Sequence, residues 1–324
     1  MANYIVTGAA GFIASRVSQM LLDQGHSIVG IDEMNDAYDP QLKYWRLQRL
    51  QQHPNFVFHQ VDIGNMDALK NLFEDRPYAA VFNLAGRAGV RASVENPWAF
   101  VNTNMTGTLN MLEVCRRNQI PKFILSSTSS IYGENAPLPT PESAESSFPL
   151  QPYAASKKGA EAMCHAYHYL HGIDVTIFRY FTVYGPAGRP DMVMFRFAKW
   201  ITEGDVVTMY GDGEQSRGFT YLDDIARGTI LGLKPLGFEI INLGGHEVIT
   251  LNEMVSTLEA KIGKKANLRR EPAQKADMLT SQADVCKARE LLGWESQVSM
   301  DEGMQNLVDW YLQERSWARD IKTP

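Results

Sequence analysis

Cysteine is scarce in this chain. Only Cys115, Cys164 and Cys286 occur, far apart, and none stands in a Cys-x-x-Cys pair. Three cannot all pair, so no disulfide framework or cysteine metal knuckle is expected, and the thiols read as reduced, as in a cytoplasmic protein. Long apolar runs are also missing, which excludes a membrane-spanning helix. The opening residues carry no charged stretch ahead of an apolar one, so no signal peptide is expected. An excess of positive charge is lacking too. Lys plus Arg number 31 against 37 Asp plus Glu, a net charge of −6. With a sequence pI near 5.7, that speaks against a nucleic-acid binder working through a basic face. No repeat or low-complexity tract interrupts the 324 residues.

What is present is a chain 44% hydrophobic and 21% charged, long enough to bury a large core without staples. Short β-rich runs alternate with helical patterns. Tyr4-Ile5-Val6-Thr7 ends in a glycine loop, apolar residues recur at helical spacing over 12–22, and Gly25 is the stop. Further strands are expected at 27–32, 56–58, 80–83 and 122–125. The alternation predicts an α/β fold, a doubly wound parallel sheet with right-handed crossovers. Beyond Tyr184 the texture changes to glycine and proline loops, then to charged helices. The last helix, over 300–315, places Met304, Leu307, Val308 and Tyr311 on one stripe. This predicts a smaller second α/β unit packed on the first.

Three local patterns carry chemistry. Gly8-Ala9-Ala10-Gly11-Phe12-Ile13-Ala14 joins the first strand to the first helix. Gly8 permits a tight turn, Gly11 lets backbone approach a pyrophosphate, and the helix N-terminus offers free N–H groups. Ala14 stands where a third glycine is usual. Asp32 closes the second strand, where a carboxylate takes the ribose hydroxyls of NAD and repels the 2′-phosphate of NADP. Tyr153 and Lys157 lie one helical turn apart. A tyrosine is too weak a base near its ordinary value of ~10, but a nearby ammonium favours the phenolate and makes Tyr153 a general base for an alcohol. Thr128, in the run Ser126-Ser127-Thr128-Ser129-Ser130, ends another strand and is placed to hydrogen-bond a substrate hydroxyl. So many hydroxyls in one turn point to a polar substrate. His165, His168 and His171 fall at steps of three that drift around a helix, so no metal is expected. The doublets Arg116-Arg117 and Arg269-Arg270 read as solvated surface.

These residues, in this order, resemble the extended short-chain dehydrogenase/reductase family over nearly the whole chain. Within it the closest likeness is to UDP-glucuronate 4-epimerases, on the segments 35–43, Ala88-Gly89-Val90-Arg91 and 182–192. The resemblance implies an NAD-binding Rossmann unit over 1–184, with a return segment near 219–244, and a nucleotide-sugar unit over 185–324. It implies Tyr153 as catalytic base, Lys157 as its modulator and ribose anchor, and Thr128 as third member. NAD would be held by Gly8, Gly11, Phe12, Ile13 and Asp32, by Asp62 and Ile63 at the adenine, by Leu84, Ala85, Gly86 and Asn102, and by Tyr180 and Val183. The UDP-sugar would meet Arg91, Tyr210 and Asp277, with Arg189 and Arg217 near the diphosphate. Ser129, Ser130 and Thr182 would give neutral hydrogen bonds to a C6 carboxylate. That matters because a 4-keto uronate is a β-keto acid, prone to lose carbon dioxide. A homodimer, paired through helices near 102–114 and 153–170, is implied, with no nucleic-acid or membrane partner.

The chain departs from the family at Arg217-Gly218-Phe219, where an aspartate is usual at the middle position, and at Ala187, where a bulky aromatic is common. Competing readings are a UDP-glucuronate decarboxylase or sugar dehydratase, a neutral UDP-hexose 4-epimerase, and a non-catalytic redox-sensing or RNA-binding Rossmann protein. The acidic residues that the decarboxylases and dehydratases carry after the threonine are replaced here by Ser129-Ser130. The non-catalytic class often loses the Tyr–Lys pair, which is kept.

Overall fold

The computed structural model describes the chain except for residues 71, 74–76, 246, 273–279 and 324. In the first half, strands and helices alternate: β1 (Asn3–Thr7), α1 (Phe12–Asp23), β2 (Ser27–Asp32), α2 (Gln41–Gln51), β3 (Phe56–Gln60), α3 (Met66–Leu69) and β4 (Ala80–Asn83). There follow α4 (Val90–Glu95), α5 (Pro97–Phe100), a π-helical turn (Val101–Thr106), α6 (Gly107–Arg117), β5 (Lys122–Thr128), a 3-10 turn (Ser129–Tyr132), α7 (Pro152–His171) and β6 (Asp174–Tyr180). The strands are short apolar runs because both faces of a parallel sheet are covered. Alternate residues serve opposite cores. Ile5, Val29, Val81, Phe123 and Val175 pack with Met111, Cys115 and Cys164 of α6 and α7. Tyr4, Val6, Ile28, Phe82 and Ile124 pack with Val17 and Leu21 of α1.

The second half holds β7 (Thr182–Tyr184), α8 (Val193–Glu203), β8 (Val206–Tyr210), β9 (Ser216–Tyr221), α9 (Leu222–Leu231), β10 (Phe238–Leu243) and β11 (Val248–Thr250). It ends with α10 (Leu251–Ile262), β12 (Asn267–Glu271), β13 (Thr280–Ser281), α11 (Cys286–Leu292) and α12 (Met300–Ala318). The main sheet has seven strands in the order β10-β6-β5-β4-β1-β2-β3, every neighbouring pair parallel. The expected doubly wound sheet is therefore present. The chain runs outward from β1 through β2 to β3, then crosses back to β4. The crevice between β1 and β4, above their C-terminal ends, is the switch point where such sheets take ligands.

The chain returns to this first core twice. Ile225, Ala226, Ile241 and Leu243 come back with α9 and β10, and Ala288, Leu292 and Trp294 come back with and just after α11. Sequence reading grouped this last segment with the second unit, but its apolar side chains bury against the first. The second core gathers Tyr184, Phe195, Phe197, Met209, Met254 and Leu258 with the stripe Met304, Leu307, Val308 and Tyr311 of α12. There β9 pairs with β7, β11 and β13, and β8 pairs with β12. Among the described residues, no helix is long and apolar enough to cross a membrane.

Candidate active site

A cleft of about 850 Å³ opens above the switch point, with one wall from each core. The first wall is shaped by backbone. Gly8 has φ +70, and a Cβ there would sit 2.8 Å from the Ala85 backbone. A Cβ on Gly11 would lie 2.8 Å from the Gly8 carbonyl oxygen. Gly11 caps α1 without a side chain, so its first-turn N–H groups are not taken by a cap. Asp32, 6% exposed, accepts hydrogen bonds from the Ala10 N–H at 3.1 Å and the Met34 N–H at 2.8 Å. The carboxylate thus ties the end of β2 to the glycine loop. Ala14 fits within the first core, where its methyl is buried.

Phe12, Ile13, Asp62, Ile63, Leu84, Ala85, Gly86 and Tyr180 also line the cleft. Asn102 and Val183 lie outside its lining. Asn102 is exposed and sits against Gly64; Val183 packs on the first core. The π-helical turn directs Asn104 inward instead. Its amide accepts from the Arg87 N–H at 2.9 Å and donates to the Arg87 carbonyl at 3.0 Å and to Ser156 Oγ at 2.9 Å. Lys43 lines this wall as well, its Nζ 3.5 Å from Asp32 and 3.1 Å from Asn35 Oδ1. Sequence reading named its segment but not its role.

The reactive pair stands at the floor. Pro152 begins α7, a favourable first position, and sets Tyr153 in the first turn, its ring centre 6.0 Å from that of Phe100 in an edge-to-face arrangement. The Tyr153 hydroxyl lies close enough to the Thr128 side chain to be influenced by it. Burial pushes its ionisation up, while Thr128 and the Arg189 charge draw it partly back. Lys157 lies one turn on along α7, at the spacing read from the sequence. The Lys157 ammonium donates to the Ser126 carbonyl at 3.0 Å, and Arg189 adds a second cation whose charge is felt at Tyr153. Lys157 itself is brought down to about 8 by burial, against the opposing charge of Glu161.

Ser126 and Ser127 line the cleft; Thr128, Ser129, Ser130 and Thr182 do not. Thr128 reaches it through Tyr153, and its Oγ1 also accepts from the Ser130 N–H at 3.2 Å. Thr182 lies in β7, opposite Phe219.

The second wall is built from cations. Arg91, Arg189, Arg196, Arg217 and Tyr210 all line it. Arg91 stands over the Tyr210 ring at 5.8 Å. Arg189 pairs with Asp191 at 2.5 Å and donates to the Ala88 carbonyl at 3.1 Å. Arg217 donates to the Ser216 carbonyl at 2.8 Å. Arg196, unanticipated from sequence, is lowered by burial, and the nearby charge of Arg91 acts in the same direction. Its only signal was a cation within the apolar pattern of α8. Such a wall suits a doubly charged anion. Asp277 lies outside the described residues.

The two departures from the family pattern have structural counterparts. A Cβ on Gly218 would approach the carbonyl oxygens of Gly245 at 3.2 Å and Ser281 at 3.4 Å, an unfavourable setting for a carboxylate. Ala187 holds φ +52 and turns its carbonyl toward Arg46, which donates to it from Nη2 at 2.6 Å. The same guanidinium donates to the Ala10 carbonyl at 3.1 Å and to the Tyr38 hydroxyl at 2.8 Å. The three histidines do not converge. His165 meets the Phe238 ring, His168 Nδ1 meets the Ile173 carbonyl, and His171 meets Tyr167. Among the described residues, no group of three or more His, Cys, Asp or Glu is placed to hold a metal.

Comparison with known proteins agrees with this geometry. Residues 4–244 match the model of the NAD dependent epimerase/dehydratase family. The chain is 52% identical over 323 residues to a UDP-glucuronate 4-epimerase of Thermodesulfobacterium geofontis, covering 99% of this chain and 100% of that protein. It superposes with a TM-score of 0.88, at 36% identity, on the crystal structure of UDP-glucuronic acid 4-epimerase from Bacillus cereus in complex with UDP-glucuronic acid and NAD, covering 96% of this chain and 99% of that one. A UDP-glucose 4-epimerase from Thermotoga maritima, solved with UDP-glucose, gives a TM-score of 0.89 at 31% identity, covering 97% and 99% of the two chains.

Proposed function

Because the chain belongs to the NAD dependent epimerase/dehydratase family, we propose that it interconverts UDP-glucuronate and UDP-galacturonate by NAD-dependent 4-epimerisation. One observation carries the reading. Tyr153, beside Thr128, shares a single cleft with a glycine loop on one side and four arginines on the other.

The first wall fits a dinucleotide. Gly8 leaves open a space that any side chain would fill with strain, and Asp32 is buried where an adenosine ribose would end. Asp62 and Ile63 would flank the base, and Lys157 would anchor the second ribose. When bound, NAD supplies the acceptor for a hydride from sugar C4 and later its donor. Tyr153 takes the proton of the C4 hydroxyl and returns it, with Thr128 steadying the phenol oxygen. Arg189 and Arg217, with Arg91, Arg196 and Tyr210, would hold the diphosphate and uridine so that the sugar alone turns. Ser129, Ser130 and Thr182, which stand outside the lining here, would turn toward the sugar to give its carboxylate neutral donors that hold it out of line for decarboxylation. A Thr182→Ala variant then forms more decarboxylated by-product; an unchanged product ratio removes Thr182 from that role.

The division into a dinucleotide unit over 1–184, with a return near 219–244 and a second over 286–294, and a nucleotide-sugar unit over the rest of 185–324 belongs to the same reading. So does a cytoplasmic homodimer. Its support is the exposure of Trp98, Tyr169 and Leu170, at 80%, 81% and 67%, on or beside the expected pairing helices. Light scattering of the purified protein tests it, and a monomer at micromolar concentration removes it.

The deciding experiment incubates the purified protein with UDP-glucuronate and no added cofactor, then separates the products. UDP-galacturonate is expected. A UDP-pentose would replace epimerisation with decarboxylation, and turnover of UDP-glucose alone would move the substrate to neutral hexoses. No conversion of any of them would overturn the reading.

A further inference from the structure

Helix α7 carries a third buried polar group in line with the reactive pair. Tyr153, Lys157 and Glu161 follow at steps of four, so they lie on one face. Glu161 is 3% exposed. Arg179 of β6 grips it through two bonds, Nε to Oε1 at 3.0 Å and Nη2 to Oε2 at 2.8 Å. Ser127 Oγ donates to the same carboxylate at 2.6 Å. Arg179 is in turn held by the Tyr132 hydroxyl at 3.0 Å, and Tyr132 donates to Asn242 at 2.7 Å. Ser127 lies between Ser126, whose carbonyl takes the Lys157 ammonium, and Thr128, whose side chain acts on Tyr153. One carboxylate thus touches the strand end that presents both partners of the reactive pair. No step described above uses it.

We propose that Glu161 is a positioning residue for proton transfer at Tyr153. Its carboxylate, clamped by Arg179, keeps Lys157 in the ammonium form and fixes the strand end that carries Ser126 and Thr128. The physical need is plain. A buried ammonium is costly unless a negative charge stands near, and burial already brings Lys157 down to about 8. A lysine that has lost its proton no longer favours a phenolate. The groups facing Lys157 leave Glu161 as the source of the compensating charge. On its own helix they are Tyr153, Glu161 and the buried thiol of Cys164. On β5 they are the neutral Ser126 and Ser127. On the π-helical turn and the loop after β4 they are Asn104 and Gly86, both uncharged. Arg87, next in that loop, turns its guanidinium to Glu33, while Glu161 itself is faced by Arg179 at 2.8 Å and, from its own helix, by the half-exposed Lys158 at 3.6 Å. A salt bridge serving only stability would leave the ionisation of Lys157 untouched, which separates the two roles.

The inference rests on the epimerase reading, and the wild-type enzyme is the control that separates them. Turnover of UDP-glucuronate is measured across the neutral-to-alkaline range for wild type, Glu161→Gln, Glu161→Asp, and the neutral pair Glu161→Gln with Arg179→Gln. The pair guards against misfolding caused by a lone buried guanidinium. Bound NAD and melting temperature are recorded for each. In Glu161→Gln and the neutral pair, the alkaline limb of kcat is expected to move to lower pH by about one unit. Near that limb kcat falls roughly tenfold, by the same shift, with KM little changed, and Glu161→Asp restores most of it. A folded, NAD-holding variant whose profile superimposes on wild type, or falls equally at every pH, overturns the proposal. A wild type that does not turn over UDP-glucuronate overturns the reading beneath it, and this inference with it.

Discussion

The two walls of the cleft solve the problem of holding a charged ligand in opposite ways. The wall from the seven-stranded sheet is backbone: Gly8 and Gly11, with the open end of α1 and one buried carboxylate, Asp32. The facing wall is side chain: Arg189, Arg196 and Arg217 around Tyr210, with Arg91 reaching over that ring from α4 of the first unit. Backbone amides are rigid and pre-oriented, so a ligand they hold loses little when it docks and leaves slowly. Long cationic side chains re-aim as a ligand moves. The difference fits a cofactor that stays and a sugar nucleotide that exchanges. It also fits a reaction in which one ligand is fixed and part of the other turns.

Substitutions can be ranked by how hard they strike that contrast. Tyr153→Phe touches neither wall, only the chemistry between them. Initial rates are expected to fall by about 10²–10⁴-fold while bound NAD stays at the wild-type level; a rate within a few-fold of wild type would remove Tyr153 as the base. Arg217→Ala should act on the side-chain wall alone. KM for UDP-glucuronate is expected to rise about 10–100-fold, the worth of roughly 1.5–3 kcal/mol for a bond to a charged group, with kcat little affected; a change confined to kcat would assign Arg217 to chemistry instead. Gly8→Ala should act on the backbone wall alone. Its Cβ meets the Ala85 backbone at 2.8 Å with φ at +70, and strain of roughly 1–3 kcal/mol lowers NAD retention about tenfold or more. Extraction and assay of NAD from the purified variant reads this directly, and full occupancy would contradict the close approach.

The smallest effect lies away from both walls. Glu113 is held down to about 2, chiefly by its bond to Arg116. A carboxylate depressed on folding adds stability above its unfolded value and loses it as pH falls through the folded one. Glu113→Gln should therefore melt slightly earlier at neutral pH, by less than about 1 kcal/mol. The gap should close as pH drops from about 4.5 toward 2; a gap that persists in acid would mean packing, not charge, is responsible.

Much of this was legible before any coordinates. The sheet announced itself because strands covered on both faces must be apolar runs between glycine turns. Gly8, Gly11, Asp32, Tyr153 and Lys157 could be picked out as candidates because each stands in a short local pattern: a glycine turn opening a helix, an acid ending a strand, or a one-turn helical spacing. The rest depends on tertiary placement. Asn104 rather than Asn102 faces inward because a π-helical turn advances the chain by an angle that ordinary helical spacing does not predict. The partner of the Lys157 ammonium is a carbonyl 31 residues away, and Glu161 finds its clamp, Arg179, on another strand. Arg196 joins the cleft only because α8 is packed with that face toward it. Residues 286–294 return to the first core because their apolar side chains fit the flank of α9 and β10, a match no local pattern encodes.

Arg46 has a consequence for anyone who would redesign this enzyme. Its guanidinium fastens the Ala10 carbonyl, the Tyr38 hydroxyl and the Ala187 carbonyl at once, so three loops distant in sequence share one fastener. Segments around it are not interchangeable parts. A glycine loop borrowed from a cousin with other cofactor habits would have to travel with α2 and the stretch from Gly185 to Pro190, as one cassette. Moved singly, each piece would arrive without the fastening that gives it its shape.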